Sequence, residues 1–368
     1  MKLSVVFVHY RTPDLAAAAV ESVRRELARP EAAGLTAEIL LVDNGSDTAG
    51  RARLAELPVE LVEPGENLGF AGGVNLGVER ASGDAFVLAN PDVELLAGCL
   101  PRLAAALRGG AAAAGPRFVW DRGGRLLLPP TERRDRASEL LARLGDRGPR
   151  WAAFVRRRWR RHARRHWRAV EAIASHHLSG ALLAVARPAW ERVGPFDEGY
   201  RLYFEETDWL LRLRRAGLAA VYEPRAVVVH AFARSAAREP RSEAWFEDSR
   251  RRFAARWHGE RFERLAGRLG GAPGGAGYPP PLDRPGRPAV DLGELAGAAR
   301  EAPLWIEVSP LARGFPAAAE RLERGSGRWE LPASTWEGMT PGTWRLGLVD
   351  DAGRELAAAS FVRPGGER

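Results

Sequence analysis

Two aspartates in this 368-residue sequence stand where a carboxylate could bind a nucleotide or a metal ion. Asp43 follows a hydrophobic run and opens a Gly-Ser turn, where it could accept hydrogen bonds from a base or a ribose. Asp92 ends the tripeptide Asn90-Pro91-Asp92, and carboxylate and carbonyl oxygens are the ligands that Mg²⁺ prefers. Each aspartate also has a structural interpretation, because Asp caps turns and helix starts without binding a ligand.

Three further acidic side chains, Glu205, Glu206 and Asp208, lie between aromatic residues. Carboxylates this close repel one another, and partial burial raises the pKa of at least one toward that of a general base. The alternative is a negatively charged first helical turn that complements the helix dipole. His230 ends an apolar segment and could complete a metal site if the fold brings it near Asp92, although a single histidine there is more often structural.

A glycine-rich segment at residues 67–75 reads Asn-Leu-Gly-Phe-Ala-Gly-Gly-Val-Asn. It lacks both the Gly-x-Gly-x-x-Gly spacing and the Gly-Lys-Ser/Thr ending of the common phosphate-binding loops. Its small residues would let a ligand approach the backbone closely, but such turns also occur without a ligand. The segment alone therefore does not distinguish a ligand-binding turn from a structural one.

These side chains must be positioned by the elements that precede them. Apolar, β-branched runs predict buried strands at residues 3–8, 37–42, 59–62, 85–89 and 178–186. Segments with helical spacing separate the strands, and one such helix is predicted to begin directly after Asp92. Strands that alternate with helices predict a mostly parallel α/β sheet with helices on both faces. Ligands bind such sheets at the carboxyl ends of the strands, which is where the polar clusters stand.

The length and the composition predict two folded regions joined by a linker. Residues 1–269 are predicted to form the α/β domain, with short strands at 221–222 and 227–229 and a closing amphipathic helix at 243–269. The Gly/Pro-rich stretch 270–288 is a predicted linker. Short alternating segments separated by turn signals predict an accessory, β-sandwich-like domain at residues 289–368.

The cysteine content and the hydropathy exclude several classes of protein. Cys99 is the single cysteine, which excludes a disulfide framework and a multi-cysteine zinc site. No apolar run approaches the roughly 18 residues that cross a bilayer, and the first residues lack a signal-peptide core. We therefore expect a cytoplasmic protein, either soluble or peripheral on the inner face of the cell membrane.

The net charge of +8 is concentrated in a basic helical insertion at about 121–175. Residues 150–168 carry nine arginines and no acid, with Trp151, Trp159 and Trp167 among them. One interpretation is a solvated helical surface. Another is an amphipathic surface that binds an anionic membrane, with the tryptophans at the interface. Nucleic-acid binding ranks last, because an α/β body with an acidic cluster is a poor partner for a phosphate backbone.

Taken together and in order, these motifs resemble the family-2 glycosyltransferases of the GT-A fold, and among them the rhamnosyltransferase-like branch that acts on cell-surface polysaccharides. The ordered set is far more specific than any one motif. It covers about 260 residues, and its members are residues 3–10, 42–46, 66–75, 88–92, 178–181, 194–198 and 204–208, with His230 at the end.

The resemblance implies an inverting glycosyltransferase of polysaccharide biosynthesis that uses Mg²⁺ or Mn²⁺. It would move a rhamnose-like or other hexose from a dTDP- or UDP-sugar to a hydroxyl of a glycan or lipid-linked acceptor. The implied donor-binding residues are Asp43, Asn67, Gly69, Phe70, Ala71, Asn75 and Asn90. The implied sugar- and acceptor-binding residues are Ser179, Gly180 and Glu205, and the implied metal ligands are Asp92 and His230, followed by Ser235.

The resemblance places the catalytic base at Glu206, where the family usually has aspartate, with Asp208 as the alternative. The extra methylene of glutamate moves the carboxylate by about one bond length, which matters for positioning. Two other functions remain open. One is a non-catalytic glycan-binding or scaffolding protein on the same fold. The other is a nucleotide-sugar nucleotidyltransferase, which normally has a Gly-rich loop with Arg or Lys directly after the first strand.

Overall fold

Nine strands form one mixed β-sheet within the described part of the chain, which comprises residues 1–145, 147–230, 241–269, 277–282, 286–291, 303–323 and 325–365 of this computed structural model. The strands are β1 (Lys2–His9), β2 (Thr36–Asp43), β3 (Glu60–Val62), β4 (Ala85–Ala89), β5 (Val93–Leu95), β6 (Ala113–Val119), β7 (Ile173–Ala174), β8 (Leu182–Ala186) and β9 (Ala220–His230). Eight of them lie in the order β3-β2-β1-β4-β8-β6-β9-β5, and β7 pairs with β9.

The sheet is parallel from β3 to β4 and mixed beyond it. Strands β1, β2 and β4 are apolar and buried, as expected for strands covered on both faces. Strand β8 is antiparallel to both β4 and β6, and β6 is parallel to β9. The carboxyl ends of β1, β2, β4, β6 and β9 therefore lie at the same edge as the amino end of β8. We call this the carboxyl edge of the sheet.

Helices cover both faces of the sheet. Helices α1 (Pro13–Leu27), α2 (Thr48–Ala55) and α4 (Cys99–Arg108) contribute to the core on one face. Helices α3 (Gly69–Arg80), α7 (Arg187–Val193) and α8 (Glu205–Arg215) pack on the other. In α3, the backbone lies so close to β1 that a Cβ added to Gly73 or Gly77 would come within 2.7 or 2.4 Å of a valine side chain of β1. These two glycines are therefore required by packing.

Four elements differ from the sequence-based expectation. The strands predicted at 221–222 and 227–229 are one continuous strand, β9, and β8 begins at Leu182 rather than at residue 178. The helix predicted after Asp92 is instead the short strand β5, which pairs antiparallel with residues 228–230 at the end of β9. Residues 243–269 form two helices, α9 (Ser242–Trp257) and α10 (Glu260–Leu269), because Gly259 at φ 85° interrupts them. These differences arise from tertiary pairing or from a single turn residue, and neither is visible in the hydrophobic periodicity.

The basic insertion contains α5 (Arg136–Gly145) and α6 (Pro149–Trp167). One side of α6 is buried, through Val155, Trp159, Ala163 and Trp167, against aromatic residues of the C-terminal region. Trp159 and Trp167 thus lie inside the protein, which corrects the expectation that they stand at a membrane interface. No helix in the described residues is long and apolar enough to cross a membrane.

Within its described residues, the C-terminal region is all-β apart from one short helix, α11 (Ala333–Gly338). Its strands are β10 (Ala289–Asp291), β11 (Leu304–Ser309), β12 (Ala318–Leu322), β13 (Arg328–Glu330), β14 (Gly342–Asp350) and β15 (Glu355–Arg363). They form a two-stranded sheet, β10-β13, and a four-stranded antiparallel sheet, β12-β11-β14-β15, which share one apolar core. The described parts of the 270–288 stretch include residues 277–282, of which residues 280–282 pair with β15 at Ser360.

Candidate active site

The pairing of β5 with β9 brings Asp92 and His230 together at the carboxyl edge. Val93 lies opposite His230 in the antiparallel register, so Asp92 is adjacent to the end of β9. Asp92 Oδ1 lies 3.4 Å from His230 Nε2, and the aspartate side chain is almost fully buried. Two residues that are 138 positions apart in the sequence thereby form one pair of potential metal ligands.

This pair suits a divalent cation whose other ligands come from a substrate. The described residues contain no group of three or more His, Cys, Asp or Glu side chains that could hold a metal ion. Mg²⁺ and similar ions are commonly held by only one or two protein ligands together with substrate phosphates and water. One carboxylate and one imidazole therefore fit a cation shared with a diphosphate. Ser235, which follows His230 in the motif, lies outside the described residues.

Glu206 stands beside the amino end of β8. A Cβ added to Gly180 would lie 3.2 Å from Glu206 Cγ, so the glycine makes room for the glutamate side chain. Thr207 Oγ1 donates a hydrogen bond of 2.9 Å to Glu206 Oε1. Burial raises the pKa of Glu206, which is partly exposed at the surface of the site.

Glu205 differs from its neighbour in its environment. Its side chain is only 4 % exposed, and burial together with the charge of Glu206 raises the pKa of Glu205 well above the usual glutamate range. A carboxyl in such a position is held in its neutral form. The structure therefore favours Glu205 as a buried neutral group beside Glu206 over the predicted contact with the acceptor.

The loop before α8 is strained and touches the glycine-rich turn. Tyr203 and Phe204 have φ values of 69° and 71°, which are unfavourable for residues with side chains. Phe70 donates a backbone hydrogen bond of 3.0 Å to the carbonyl oxygen of Arg201. Gly69, at φ 74°, permits this approach, since an added Cβ would lie 2.5 Å from that oxygen.

The sequence did not predict the conformation of this loop, although it did predict the acidic cluster and the glycine-rich turn on either side of it. Burial raises the pKa of Tyr203, and the nearby carboxyl groups of Glu205 and Asp92 contribute in the same direction. The aromatic pair beside the acidic cluster was visible in the sequence. The left-handed backbone conformation of this pair was not visible, because a positive φ at an aromatic residue has no sequence signature.

Asp43 and Asn44 shape the turn at the end of β2. Asp43 Oδ1 accepts hydrogen bonds from the backbone of Gly45 and from the backbone and hydroxyl of Ser46. Asp43 Oδ1 therefore caps this turn, as the structural interpretation of Asp43 predicts. Asn44, which sequence reasoning did not select, donates from Nδ2 to the carbonyl oxygen of Gly69 at 2.7 Å and so fixes the glycine-rich turn.

Within the glycine-rich segment, the predicted donor-binding residues differ in position. Asn67 and Phe70 are partly exposed at the turn, and Asn67 Oδ1 accepts a hydrogen bond from the Gly69 backbone at 2.9 Å. Ala71 is buried in the first turn of α3. Asn75 is also buried and exchanges hydrogen bonds of 3.0 and 2.9 Å with the backbone of Phe196. The structure thus favours a positioning role for Asn75 over the predicted donor contact.

Asp208 does not face the site. Its side chain is fully buried, and its oxygens accept hydrogen bonds from Arg212 Nε at 2.9 Å and Trp257 Nε1 at 2.8 Å, with Arg256 Nε 3.1 Å away. Asp208 therefore anchors α9 to α8, and the structure favours this anchoring role over the alternative assignment of the base to Asp208. The spacing along the sequence could not show this, because Asp208 and Glu206 point to different sides of the first turn.

Asn90, Ser179 and Gly180 meet where β4 and β8 pair. The Asn90 backbone donates to the carbonyl oxygen of Ala181 at 3.0 Å, and Ser179 Oγ accepts a hydrogen bond of 3.2 Å from the Ala181 backbone. The ends of β2, β4 and β9 thus lie along the same edge of the sheet as the start of β8. Seven of the fourteen predicted site residues are partly exposed: Asn67, Phe70, Asn90, Ser179, Gly180, Glu206 and His230.

Comparison with known proteins identifies the family. A family model described as Glycosyl transferase family 2 matches residues 4–182. Two proteins named N-acetylglucosaminyl-diphospho-decaprenol L-rhamnosyltransferase, from two Mycobacterium tuberculosis strains, are 34% identical to the chain over 223 residues, which is 55% of this chain and 69% of each relative. The chain belongs to glycosyl transferase family 2, and its α/β sheet has the expected GT-A type of fold. Glycosyl transfer is therefore its class of activity.

Solved structures show more distant likenesses. The mannosyltransferase PcManGT from Pyrobaculum calidifontis, in complex with GDP-Man and Mn²⁺, has a TM-score of 0.43 and 19% identity, over 74% of this chain and 77% of that one. GalNAc-T7 with UDP, GalNAc and Mn²⁺ has a TM-score of 0.43 and 16% identity, over 62% of this chain and 44% of that one. At this level of similarity, neither structure identifies a donor or a metal for this chain.

Proposed function

We propose that this chain is an inverting glycosyltransferase that moves a hexose from a nucleoside-diphosphate sugar to an acceptor hydroxyl. The observation that carries this proposal is the Asp92–His230 pair, with 3.4 Å between Oδ1 and Nε2, at the carboxyl edge that also holds Gly180 and Glu206. A ligand site at this edge is the expected arrangement for an α/β sheet.

Asp92 and His230 would hold Mg²⁺ or Mn²⁺ together with the donor's diphosphate. A bound divalent cation neutralises the charge that develops on the departing diphosphate, which makes it a better leaving group. The two residues come from different strands, so the β5–β9 ladder fixes their separation. Because the ladder fixes this separation, the diphosphate would be held at a defined position relative to the start of β8.

Glu206 is the proposed base. Its carboxylate takes the proton of the acceptor hydroxyl as the oxygen attacks the anomeric carbon, while the bond to the diphosphate breaks on the opposite face. A single displacement of this kind inverts the configuration at that carbon. The raised pKa of Glu206 suits it to this role, because a base is most effective when its pKa lies nearer the working pH.

The donor would bind between the turn at the end of β2 and the glycine-rich turn. Asn67 borders this space, Asp43 caps the turn at the end of β2, and Asn44 holds the two turns together through Gly69. The relatives' activity as L-rhamnosyltransferases supports a dTDP-rhamnose-like donor, with UDP-sugars as the alternative.

The acceptor is proposed to be a lipid-linked diphosphate glycan, as the relatives' name describes for those proteins. The outward face of α6 would then lie on an anionic membrane. Arg157, Arg158 and Arg161 are exposed on this face. Trp151 and Phe154, which are 46% and 47% exposed, form an edge-to-face pair near the start of the helix. Basic residues beside exposed aromatic side chains are typical of interfacial helices.

A radiolabel transfer assay tests the proposed base. Wild-type protein with dTDP-rhamnose, a short-chain N-acetylglucosaminyl-diphospho-prenol and Mn²⁺ should form product, and Glu206→Gln should reduce turnover by about 100-fold or more with donor affinity retained. Glu205→Gln is the matched control. It replaces a carboxyl that is held neutral, so its turnover should stay close to that of the wild type. Equal turnover in Glu206→Gln and the wild type would contradict the proposal.

A further inference from the structure

A cavity of about 130 Å³ opens beside the candidate active site, on the side away from the glycine-rich turn. Ser179 and His230, which belong to the site, form its inner border. Its remaining walls come from β6, β9, α6 and the segment that follows β6. One water molecule needs roughly 10–15 Å³, so the cavity has room for a much larger group.

The chemistry of the walls favours a neutral ligand with one apolar face. Phe118, Pro129, Pro130 and Trp167 are among the residues that line the cavity, and no described Asp, Glu, Arg or Lys side chain does. A diphosphate would find no countercharge there. A pyranose ring fits this lining, because it has an apolar face for aromatic and proline surfaces and hydroxyls for a few polar groups.

His177 supplies one of the polar groups at the cavity wall. Its ring makes no hydrogen bond within the described part of the chain, although its backbone is bonded to the Ser175 hydroxyl. Burial lowers the pKa of His177 to about 4, so the ring stays neutral near pH 7. A neutral imidazole offers one donor and one acceptor, which suits a sugar hydroxyl or an acetamido group.

The outer wall of the cavity is attached to the C-terminal sheets. Leu127 exchanges two backbone hydrogen bonds of 2.8 Å with Ala319 of β12. Trp167 Nε1 donates to the carbonyl oxygen of Leu128 at 2.9 Å, and its ring stacks on Trp305 of β11 with 5.5 Å between centroids. The C-terminal region thus holds both the segment after β6 and the end of α6 in place.

We propose that this cavity is the acceptor subsite, that it receives a neutral pyranose ring of the acceptor, and that the C-terminal sheets position its outer wall. This inference rests on the proposed function, since the ring would present its hydroxyl to Glu206 from the Ser179 side. It gives the C-terminal region a role in acceptor recognition without placing any of its residues in contact with the sugar.

Calorimetry with the full chain tests the subsite. The probe is N-acetylglucosaminyl diphosphate without its lipid, titrated into protein that already holds dTDP and Mn²⁺. His177→Ala should weaken probe binding by about tenfold, as the loss of a well-placed hydrogen bond does, and Pro130→Trp should abolish it by filling the cavity. Binding of dTDP should stay within about twofold of the wild type in both variants.

His176→Ala is the matched control, because His176 is the sequence neighbour and its ring instead donates to the Leu218 carbonyl oxygen at 2.9 Å. Probe binding in this variant should match the wild type. If Pro130→Trp does not fold, His177→Ala decides the question. Wild-type affinity in His177→Ala, or a wild type that binds dTDP but not the probe, would overturn the subsite while leaving the proposed function in place. Failure of the wild type to bind either dTDP or UDP would overturn both.

Discussion

At the scale of single residues, Glu205 and Glu206 are adjacent carboxyls with different tasks. Glu205 is enclosed and held neutral, whereas Glu206 packs against Gly180 at the start of β8 and remains partly exposed. Two carboxylates side by side would oppose each other's ionisation. Keeping one of them protonated lets the other ionise and serve as a base.

The buried state of Glu205 predicts a pH dependence of stability. Because its pKa is raised by folding, the native state retains a proton that the unfolded chain releases above about pH 4.3. The free energy of unfolding therefore falls as the pH rises toward the raised pKa. Glu205→Gln cannot release this proton, so its melting temperature should fall less between about pH 5 and pH 8 than that of the wild type.

Differential scanning calorimetry across this pH range measures the effect. Glu191→Gln, at an exposed position of α7, is the control and should follow the wild type. An identical pH dependence of the melting temperature in Glu205→Gln and the wild type would show that Glu205 does not retain a proton in the folded state.

At the scale of elements, α6 has two different faces. Its buried face packs on the C-terminal sheets, and its outward face carries arginines together with Trp151 and Phe154. Each cation near an anionic surface contributes about 1 kcal/mol to membrane binding. The double variant Arg157→Gln/Arg158→Gln should therefore reduce partitioning into phosphatidylglycerol vesicles by more than about tenfold.

Vesicle sedimentation measures this partitioning. Arg261→Gln/Arg264→Gln removes the same charge from exposed positions of α10 and serves as the matched control. If both double variants bind vesicles equally, the outward face of α6 is only a solvated surface.

Long, strongly apolar elements were predictable from the sequence. Strands β1, β2 and β4 lie within about one residue of their predicted bounds, because continuous burial produces continuous apolar runs. Strand β5 was not predictable, since three residues have no periodicity and are defined by their pairing with β9. The site depends on that pairing, so the sequence could name Asp92 and His230 without placing them together.

The role of Asp208 and the burial of α6 were not predictable either, because both depend on contacts between distant parts of the chain. Asp208 belongs to the same acidic cluster as Glu206, yet contacts from α9 remove it from the site. The sequence of the arginine-rich helix α6 did not indicate that one of its faces would be buried. Trp159 and Trp167 are buried because β11 and its neighbours supply aromatic partners about 150 residues further along the chain.

At the scale of the whole molecule, a buried ion cluster joins α6 to the C-terminal sheet. Arg160 donates to Glu307 at 2.8 Å and to Glu355 at 2.9 Å, and Arg345 also reaches Glu355. Arg160 and Glu307 are almost completely buried. Removing one member of such a pair leaves an uncompensated charge in the interior.

Glu307→Ala should therefore lower the free energy of unfolding by about 3–5 kcal/mol. Glu323→Ala, which removes a carboxylate from an exposed pair with Arg321, should change it by less than about 1 kcal/mol. Urea unfolding measures both. A loss in Glu307→Ala no larger than in Glu323→Ala would mean that the cluster does not join the two regions energetically.

The central claim is that Asp92 and His230 bind a divalent cation jointly with the diphosphate of a nucleotide. Calorimetric titration of dTDP, with and without Mn²⁺, tests it most directly in the wild type and in Asp92→Ala. We expect Mn²⁺ to strengthen dTDP binding to the wild type by about tenfold or more, and we expect Asp92→Ala to lose this enhancement while remaining folded. Equal enhancement by Mn²⁺ in both proteins would contradict the claim.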